Sequence, residues 1–524
     1  MRMRVRRSDR RSAVVLLAVL VAIVVLSLSA YQFSDRSAAE YQAADNAHQL
    51  VQARCFADSG VHMAAAMLAN PDNIDEMLGG NPYDNPDQFR DAPITPAAGG
   101  LAGKFTLVAP PDPDGSLNSS SSRYGVSDEG GKINLNSMMK VDPSGDTLYN
   151  ALLKLPNMTE EIAAAIVDWI DSDTTPRENG AENDAYSGNT PSYRCKNGPM
   201  DSLDELLLVR GVTRDLLYGS DLNRNGVHDP DEAARGEYSR GWSAFLTVHS
   251  HEPNRDALGQ ALLWINDVDL ASLYEKLAPE VGDELAKFVI LYRQYGPANA
   301  QGQQQSFGLS IATMLGAGKG GNGGGSQQAS AAPVEGNLGE VELNVSKLPQ
   351  KKINSMFDLV NVQISIPNKD RKKPATVYKS PLNEPSVQKD MLGKLFQTAT
   401  LFENALVPAR INVNTAPKEV LSAIPEMTEA DVQLIISVRA QIPFNSTPAW
   451  LLADAGMKLD TLRKIDKYVT TRTQVFRVHS VGQFADGKGP MARIEAIIDT
   501  NYGRPRIVQW RDWTELGKTS LPQQ

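Results

Sequence analysis

Residues 221–232 (DLNRNGVHDPDE) carry oxygen-bearing side chains at the spacing of a twelve-residue calcium loop. Calcium takes about six to eight oxygen ligands, and such a loop supplies them from positions one, three, five, seven, nine and twelve, the seventh through its carbonyl. Gly226 lies at position six, where the loop turns sharply. The pattern predicts a structural Ca²⁺ site, with a hydrated Asn/Asp turn as the alternative. The six predicted ligands are Asp221, Asn223, Asn225, Val227, Asp229 and Glu232.

A second acidic cluster lies upstream, between residues 168 and 184. Its carboxylates would repel one another unless water or a cation neutralised them, so calcium and a hydrated loop are both compatible with the spacing. Catalysis by a carboxylate pair is a further alternative, but the spacing shows neither a pocket nor an acid and a base with separated pKa values. Because no Ser/His/Asp or Cys/His motif occurs in a recognisable context either, we expect no enzymatic activity. The carboxylates are Asp168, Asp171, Asp173, Glu178, Glu182 and Asp184.

The charge of the chain favours metal binding over nucleic-acid binding. The 524 residues include 52 basic and 62 acidic side chains, giving a net charge of −10, whereas proteins that coat nucleic acid carry a basic excess. Residues 160–240 contain 17 acidic and 8 basic residues, so the acidity is concentrated near the predicted calcium loops. Cys55 and Cys195 are the only cysteines, which excludes a disulfide scaffold and leaves open whether these two pair.

The N-terminal residues predict a membrane anchor. Six arginines within the first eleven residues precede an uncharged apolar run, residues 13–34. As a helix this run spans about 33 Å, enough to cross a hydrocarbon core of roughly 30 Å. The arginines should stay in the cytoplasm, which places the bulk of the chain on the other side. A secretory signal cut after Ala30 is the alternative. Because no proline follows before Pro71, however, we expect the helix to continue to about residue 70.

The remaining pattern predicts an α+β fold with a small antiparallel sheet and a large inserted helical domain. Strand-like runs occur at 104–108 and 132–135, and a C-terminal meander is predicted from 475–481, 492–498 and 506–510. Between them, a helix–turn–helix unit recurs. The copies open at Ile133-Asn134, Ile265-Asn266 and Ile411-Asn412, and turn at Pro156-Asn157, Ala278-Pro279 and Pro425-Glu426; residues 352–357 form a weaker echo. Thr159 and Thr428 are placed to cap the second helix of two copies.

These units have the outline of a helix-hairpin-helix, a motif that often holds DNA phosphates with the backbone amides of a Gly-rich turn. The turns here lack those glycines, and acidic side chains at Glu160, Glu161, Glu426 and Glu429 would face the phosphates. Such a surface repels DNA. We therefore expect units that pack within the protein, with a membrane-tethered DNA-binding protein of an uptake system as the alternative function.

An ordered set of motifs resembles general secretion pathway protein K, the minor pseudopilin of type II secretion systems. The resemblance covers roughly residues 8–250 and 405–500, and residues 251–405 look like an enlargement. The motifs are Gly-Lys-Ile-Asn-Leu-Asn (131–136), Val-Asp-Trp-Ile-Asp (167–171), Glu-Asn-Gly-Ala-Glu (178–182), Tyr-Arg-Cys-Lys-Asn (193–197), Asp-Ser-Leu-Asp-Glu-Leu (201–206), Val-Arg-Gly-Val (209–212) and Ile-Asn-Val-Asn-Thr-Ala-Pro (411–417).

The resemblance implies a pilin-like fold, in which the long helix packs on a small antiparallel sheet and the inserted domain consists of helix-hairpin-helix or SAM-like repeats. It also implies that a prepilin peptidase removes a leader between Ser12 and Ala13, with methylation of the new N-terminus. Family members usually have Gly before the cut, where this chain has Ser12. Leu17 occupies the fifth mature position, where most pilin-like subunits carry Glu and protein K subunits do not.

In function, the resemblance implies a subunit at the tip of the pseudopilus that initiates its assembly together with other minor and major pseudopilins. The protein would lie in the inner membrane as a single-pass subunit, with its C-terminal bulk in the periplasm and no small-molecule substrate. By position, Asp171, Asp173, Glu182 and Asp184 resemble the region of the family's helical domain that binds Ca²⁺.

We therefore expect nine segments along the chain. They are a leader (1–12), the transmembrane and long N-terminal helix (13–70), the first part of the sheet (71–135), a helical domain with the first hairpin and the calcium loops (136–250), a second hairpin (251–315), a Gly-rich linker (316–333), an insert without an assigned role (334–405), a third hairpin (406–470) and the C-terminal meander (471–524).

Overall fold

A computed structural model describes residues 9–69, 71–95, 102–111, 123–224, 232, 240–256, 259–298, 333–368, 370, 373–443, 446–472, 474–501 and 503–516. Its α-helices are α1 (Asp9–Leu68), α2 (Pro71–Leu78), α3 (Pro86–Phe89), α4 (Leu135–Val141), α5 (Asp146–Leu152), α6 (Glu160–Ile170), α7 (Asn183–Tyr186), α8 (Arg214–Tyr218), α9 (Leu270–Val281), α10 (Asp283–Tyr295), α11 (Pro385–Thr398), α12 (Lys418–Ser422), α13 (Glu429–Arg439), α14 (Trp450–Ala453) and α15 (Leu459–Ile465).

The strands are mostly short, and three long ones lie near the C-terminus. They are β1 (Ala92–Ile94), β2 (Gly103–Val108), β3 (Ser127–Asp128), β4 (Ile133–Asn134), β5 (Leu246–Thr247), β6 (Glu252–Pro253), β7 (Leu263–Trp264), β8 (Val334–Glu335), β9 (Gln363–Ile366), β10 (Thr376–Lys379), β11 (Ala399–Thr400), β12 (Leu406–Val407), β13 (Ile411–Asn412), β14 (Val469–Thr470), β15 (Val475–Phe484), β16 (Ala492–Asp499) and β17 (Arg506–Asp512).

Helix α1 is continuous, but its two halves have different surroundings. Every residue of 14–36 is exposed, and the ring of Phe33 is 74% exposed. The second half packs on the sheet, where Ala53, Ala57 and Ala64 are fully buried. Among the described residues, α1 is the one helix long and apolar enough to span a membrane. The predicted long N-terminal helix is confirmed, and its exposed apolar half fits a membrane anchor.

The main sheet is antiparallel, in the order β1-β2-β15-β16-β17, with β3 also paired to β15. Alternate residues of β15 point to opposite faces. Phe476 and Val478 join the apolar core beneath α1, whereas on the opposite face Arg477 forms an ion pair with Glu129 and Nε2 of His479 lies 3.3 Å from Glu495. The strand at 104–108 and the C-terminal meander are confirmed.

Two glycines allow α1 to approach the sheet closely. A Cβ on Gly482 would lie 2.3 Å from the carbonyl oxygen of Ala53 and the amide nitrogen of Ala57. A Cβ on Gly60 would lie 2.3 Å from Oγ of Ser480. Side chains at either position would push the helix off the sheet, so these glycines set the helix–sheet distance.

The helical part consists of three units, each closed by a two-residue parallel strand pair. The first unit (residues 133–247) is closed by β4 and β5, the second (263–400) by β7 and β11, and the third (411–470) by β13 and β14. The residue after each opening strand, Leu135, Ile265 or Val413, is fully buried. The second unit therefore opens at Leu263-Trp264, two residues before the predicted Ile265-Asn266.

Each unit contains the predicted pair of helices, namely α5–α6, α9–α10 and α12–α13. Thr159 and Thr428 cap α6 and α13 as predicted, accepting hydrogen bonds from backbone N–H groups. Asn157 and Glu426 occupy matching turn positions with φ of 57° and 66°. This shared left-handed backbone shows that the two turns are built alike, although the helix-hairpin-helix or SAM-like class stays a prediction.

Three expectations about these elements need correction. Residues 132–135 do not join the main sheet, because β4 pairs with β5 inside the first unit. Pro279 lies within the last turn of α9, and the chain turns at Gly282 instead, where φ is 91°. Residues 352–357 are no separate copy, because they lie between the paired strands that close the second unit.

Two further expectations concern cysteine pairing and the Gly-rich linker. Cys55 is exposed on α1 and Cys195 is buried in the first unit, both as free thiols. Residues 316–330 of the predicted linker lie outside the described residues.

Candidate calcium site

Three carboxylates meet at the C-terminal end of α6. The side chains of Asp171, Asp173 and Glu182 each offer an oxygen within 4.8 Å of the others. Glu182 is buried and Asp171 is half-buried, while Asp173 is exposed. The sequence pattern predicted these three together. Asp184, the fourth predicted ligand, lies outside this group on α7 and is exposed.

The loop that carries these carboxylates is pinned by Asp168, which is fully buried near the end of α6. Its Oδ1 accepts a hydrogen bond from the N–H of Arg177 at 3.2 Å, and its Oδ2 accepts one from the N–H of Ala181 at 2.7 Å. Gly180 passes so close that a Cβ there would lie 1.9 Å from Oδ2 of Asp168. Asp168 therefore positions the loop rather than joining the three clustered carboxylates.

Asn197, which the acidic pattern did not reveal, lies beside the three carboxylates. Its side-chain amide donates to the backbone carbonyl of Asp173 and to both oxygens of Glu182, at 3.4 and 3.2 Å. The amide oxygen is buried without a hydrogen-bond partner, as is Oδ1 of Asp171. Asn197 has φ of 46°, a conformation that Asn adopts more readily than most residues.

The electrostatics of the group are unfavourable without a cation. Burial, together with Asp173, Asp168 and Glu182, raises the pKa of Asp171 to about 7. Burial also raises the pKa of Glu182, an effect that the amide of Asn197 opposes. Oxygen donors of mixed carboxylate and amide type suit Ca²⁺, and two of them lack a partner. Asp171, Asp173 and Glu182 therefore fit a calcium ion, and Asn197, whose amide oxygen has no partner, is the proposed fourth ligand.

The predicted loop at 221–232 is described only in part. Glu232 is 2% exposed, and its Oε1 accepts hydrogen bonds from the N–H groups of Leu222 and Asn223, at 2.7 and 3.4 Å. The last predicted ligand is thus held against the second and third positions of the loop. Asn225, Val227 and Asp229 lie outside the described residues, so calcium binding at this loop stays a prediction.

Buried charges fix the first unit to the sheet. Glu129 has no exposed surface and pairs with Arg477 at 2.7 Å and with Lys132 at 2.9 Å, while the hydroxyl of Thr247 donates to it. Arg477 also pairs with Glu495 at 2.9 Å. Burial alone would raise the pKa of Glu129, but the two cations outweigh it and hold that pKa well below its usual value.

The third unit reaches the same sheet through Asp128 of β3. Its Oδ2 accepts hydrogen bonds from the amide of Asn412 at 2.8 Å and from the hydroxyl of Thr415 at 2.5 Å. In the first unit, the carbonyl of Asn223 accepts a hydrogen bond at 3.0 Å from Arg493 of β16 in the sheet. The first unit, through residues that include Asn223 of the predicted calcium loop, and the third unit are therefore positioned by contacts with the sheet.

Two family models match these same units. Both are described as type II secretion system protein K, one matching residues 131–218 and the other residues 411–472. The matched segments contain the three clustered carboxylates, Asn197 and the third unit's hairpin.

Type II secretion system protein K from several bacteria is similar in sequence. The Klebsiella pneumoniae protein is 27% identical over 216 residues, which cover 39% of this chain and 59% of the relative. The Aeromonas hydrophila protein is 30% identical over 221 residues, covering 39% and 60%. The Pectobacterium carotovorum protein is 46% identical over 57 residues, covering 11% and 17%. The chain thus spans about three fifths of the length of the first two relatives.

Among solved structures, similarity is found to the GspK–GspI–GspJ complex of the type 2 secretion system of enterotoxigenic Escherichia coli. The identity is 10% and the TM-score is 0.37, with 92% of this chain and 99% of the other covered. Residues 131–218 and 411–472 thus match type II secretion system protein K, and the chain is similar in sequence to members of that family.

Proposed function

We propose that the chain is a non-enzymatic minor pseudopilin that helps to initiate the pseudopilus of a type II secretion system and caps its tip. One observation carries the proposal: the two segments that match protein K, in the first and third units, are fixed to a sheet on which a long N-terminal helix packs. Helix α1 is continuous, so it connects the exposed apolar anchor directly to the head, which consists of the sheet and the helical units.

The proposed mechanism is assembly. The apolar half of α1 holds the subunit in the inner membrane with the head in the periplasm, because the N-terminal arginines favour the cytoplasmic side. When the subunit leaves the bilayer, that same surface packs against the helices of neighbouring subunits. Prepilin peptidase would cut between Ser12 and Ala13, a site on the backbone of α1. Leu17 then offers no carboxylate to the amine of a neighbouring subunit.

The tip position follows from the size of the head. A head of three helical units and a small sheet is too bulky to repeat along a thin filament, whereas one copy can lie at its end. The partners would be two other minor pseudopilins, corresponding to the GspI and GspJ that accompany GspK in the enterotoxigenic Escherichia coli complex. Calcium bound by Asp171, Asp173, Glu182 and Asn197 would hold the loop after α6 in one conformation.

Co-expression with the minor pseudopilins of the same secretion system tests the proposal. The full chain, extracted in mild detergent, should co-purify with them as a complex containing one copy of each subunit. N-terminal sequencing of the purified chain should begin at Ala13, and a start at Ser12 or earlier would remove the peptidase step.

Duplex DNA provides the contrasting assay, because the alternative function is a membrane-tethered DNA-binding protein. The described structure gives that function no support, since the hairpin turns carry Glu160, Glu161 and Glu429 on exposed positions. Submicromolar DNA binding with a steep salt dependence, together with no pseudopilin complex, would overturn the proposed function.

A further inference from the structure

The second unit is connected to the rest of the molecule through a stem, the two-residue strand pair of β6 and β12. Strands β6 and β12 pair antiparallel, with Pro253 opposite Leu406. Just beyond the stem, the N–H of Asn254 donates to the carbonyl of Ala405 at 2.9 Å, and its side-chain amide donates to the carbonyl of Phe402 at 2.8 Å. The chain therefore leaves and re-enters the rest of the molecule at one point, and residues 254–405 form an insertion with adjacent ends.

This insertion repeats the internal contacts of the first unit. In the first unit, the side-chain amide of Asn136 bonds both the N–H and the carbonyl of Met200, at 2.9 and 2.8 Å. In the second unit, Asn266 bonds the N–H and carbonyl of Ile353 at the same two distances, 2.9 and 2.8 Å.

The turns that follow also match. Two residues after Met200 and Ile353, a serine opens a 3₁₀ turn with a capping box, formed by Ser202 with Glu205 and by Ser355 with Asp358. Residues 334–400 therefore complete a whole repeat rather than forming a separate insert.

The insertion is held against the third unit. The hydroxyl of Ser355 donates to Oδ2 of Asp466 at 2.8 Å, and Arg463 donates to the carbonyl of Val360 at 3.1 Å. Lys389 pairs with Asp454 at 2.7 Å. By contrast, the first and third units bond the sheet directly, and the two family-matched segments lie on either side of the insertion.

We propose that residues 254–405 are an extra copy of the repeat, inserted at the stem, and that the surface for pseudopilin partners is complete without it. That surface would be formed by α1, the sheet and the first and third units. The statement about the partner surface rests on the proposed function, whereas the statement that residues 254–405 are an extra repeat does not. The second unit would then act as a separate module, added beside the assembly surface.

Excision of residues 254–405 tests both that they are an extra repeat and that the partner surface is complete without them. Residues 254–405 are replaced by Asn-Gly, which joins Pro253 to Leu406 through a two-residue hairpin turn that suits an antiparallel pair. A deletion of equal length, residues 270–421, removes β13 and serves as the matched control. We expect the stem excision to unfold cooperatively and to co-purify with the other minor pseudopilins within about twofold of the parent, and the shifted deletion to do neither.

The outcomes separate the two proposals. If the parent itself forms no complex, the proposed function fails and only the folding result bears on the insertion. If the parent forms the complex and the folded excision variant does not, the second unit belongs to the assembly surface and the inference is overturned.

A second variant covers the case in which excision exposes the apolar face of the third unit and the product aggregates. Phe288→Ala in the full chain removes a fully buried ring from α10. Hydrogen exchange should then accelerate in residues 263–400 while β15 and β16 keep their protection. Equal acceleration in those two strands would show one cooperative body and would overturn the inference.

Discussion

At the residue scale, the candidate calcium site depends on one amide as much as on its carboxylates. Asp171, Asp173 and Glu182 could be found from the sequence because acidic residues repeated at short spacing are a direct sign of cation binding. Asn197 could not, because it is distant in sequence and neutral. Only the path of the chain brings its side-chain amide, which donates to Glu182 and has an unpartnered oxygen, next to the carboxylates.

Replacing Asn197 should weaken calcium binding. Asn197→Ala removes the amide oxygen and disfavours the left-handed backbone, and we expect at least tenfold weaker Ca²⁺ binding by calorimetric titration. Asn197→Gly keeps the backbone conformation and removes only the side chain, so it separates the two effects. Unchanged affinity in both variants would exclude Asn197 from the ligand set.

The close approach of Gly180 to Asp168 gives a second prediction. Gly180→Ala places a Cβ where Asp168 Oδ2 lies 1.9 Å away, so the loop must move and calcium affinity should fall severalfold. Gly188→Ala is the matched control, because a Cβ there meets no atom within 4 Å. Equal calcium titrations for the two variants would show that Asp168 does not set the loop position.

At the element scale, the hairpin turns use left-handed residues where a glycine would be expected. Asn157 and Glu426 adopt φ of 57° and 66° at equivalent places, although their side chains differ. Sequence periodicity located the hairpins because their helices bury apolar faces. The periodicity placed the second turn too early because a proline usually ends a helix. Here Pro279 lies in the last turn of α9, and the helix ends at Gly282 instead.

The effect of the left-handed backbone on the stability of the first unit can be measured at Asn157, whose side chain is exposed. Asn157→Ala should destabilise the first unit by about 1 kcal/mol, and Asn157→Gly should restore that stability, because a Cβ is strained in the left-handed region. Hydrogen exchange of α5 and α6 under mild denaturant reports this local stability. Asn150→Ala, at an exposed position within α5, should show the opposite sign because Ala favours the helix. Equal effects of Ala and Gly at position 157 would contradict the prediction.

At the scale of the whole molecule, the helical units and the sheet are joined by buried charges. This joint could not be predicted from the sequence, because Glu129, Arg477 and Glu495 are far apart in the chain and each resembles an ordinary surface residue. The long helix and the meander could be predicted, because their patterns are local. The position of residues 334–400 depends on the pairing of β7 with β11, which local patterns do not encode.

The joint gives the protein a defined response to acid. Burial lowers the pKa of His479 to about 4, despite the opposing charge of Glu495, while Arg477, Arg493 and Lys132 add to the lowering. The unfolded chain takes up a proton near pH 6.5 and the folded chain does not, so His479 reduces stability as the pH falls from 7 to 5.

His479→Gln should therefore lose less stability than the parent between pH 7 and 5, by about 1–2 kcal/mol in urea titrations. His251 serves as the control of opposite sign, because its hydrogen bond with Asp499 raises its pKa. The stability it contributes is present below pH 6.5 and is lost as the pH rises through the raised value. Parallel pH profiles for the parent and His479→Gln would rule out this role of His479.

The backbone contact between α1 and β15 also determines how the subunit bears mechanical load. A pull along α1 from its membrane end reaches the sheet at Gly482, where the backbone of the helix meets that of β15 without intervening side chains. Because the helix lies across the sheet over several turns, such a force shears many contacts at once instead of peeling them one by one. The head should thus follow its helix out of the bilayer as a stiff body, and a bulkier residue at Gly482 would turn that stiff coupling into a compliant one.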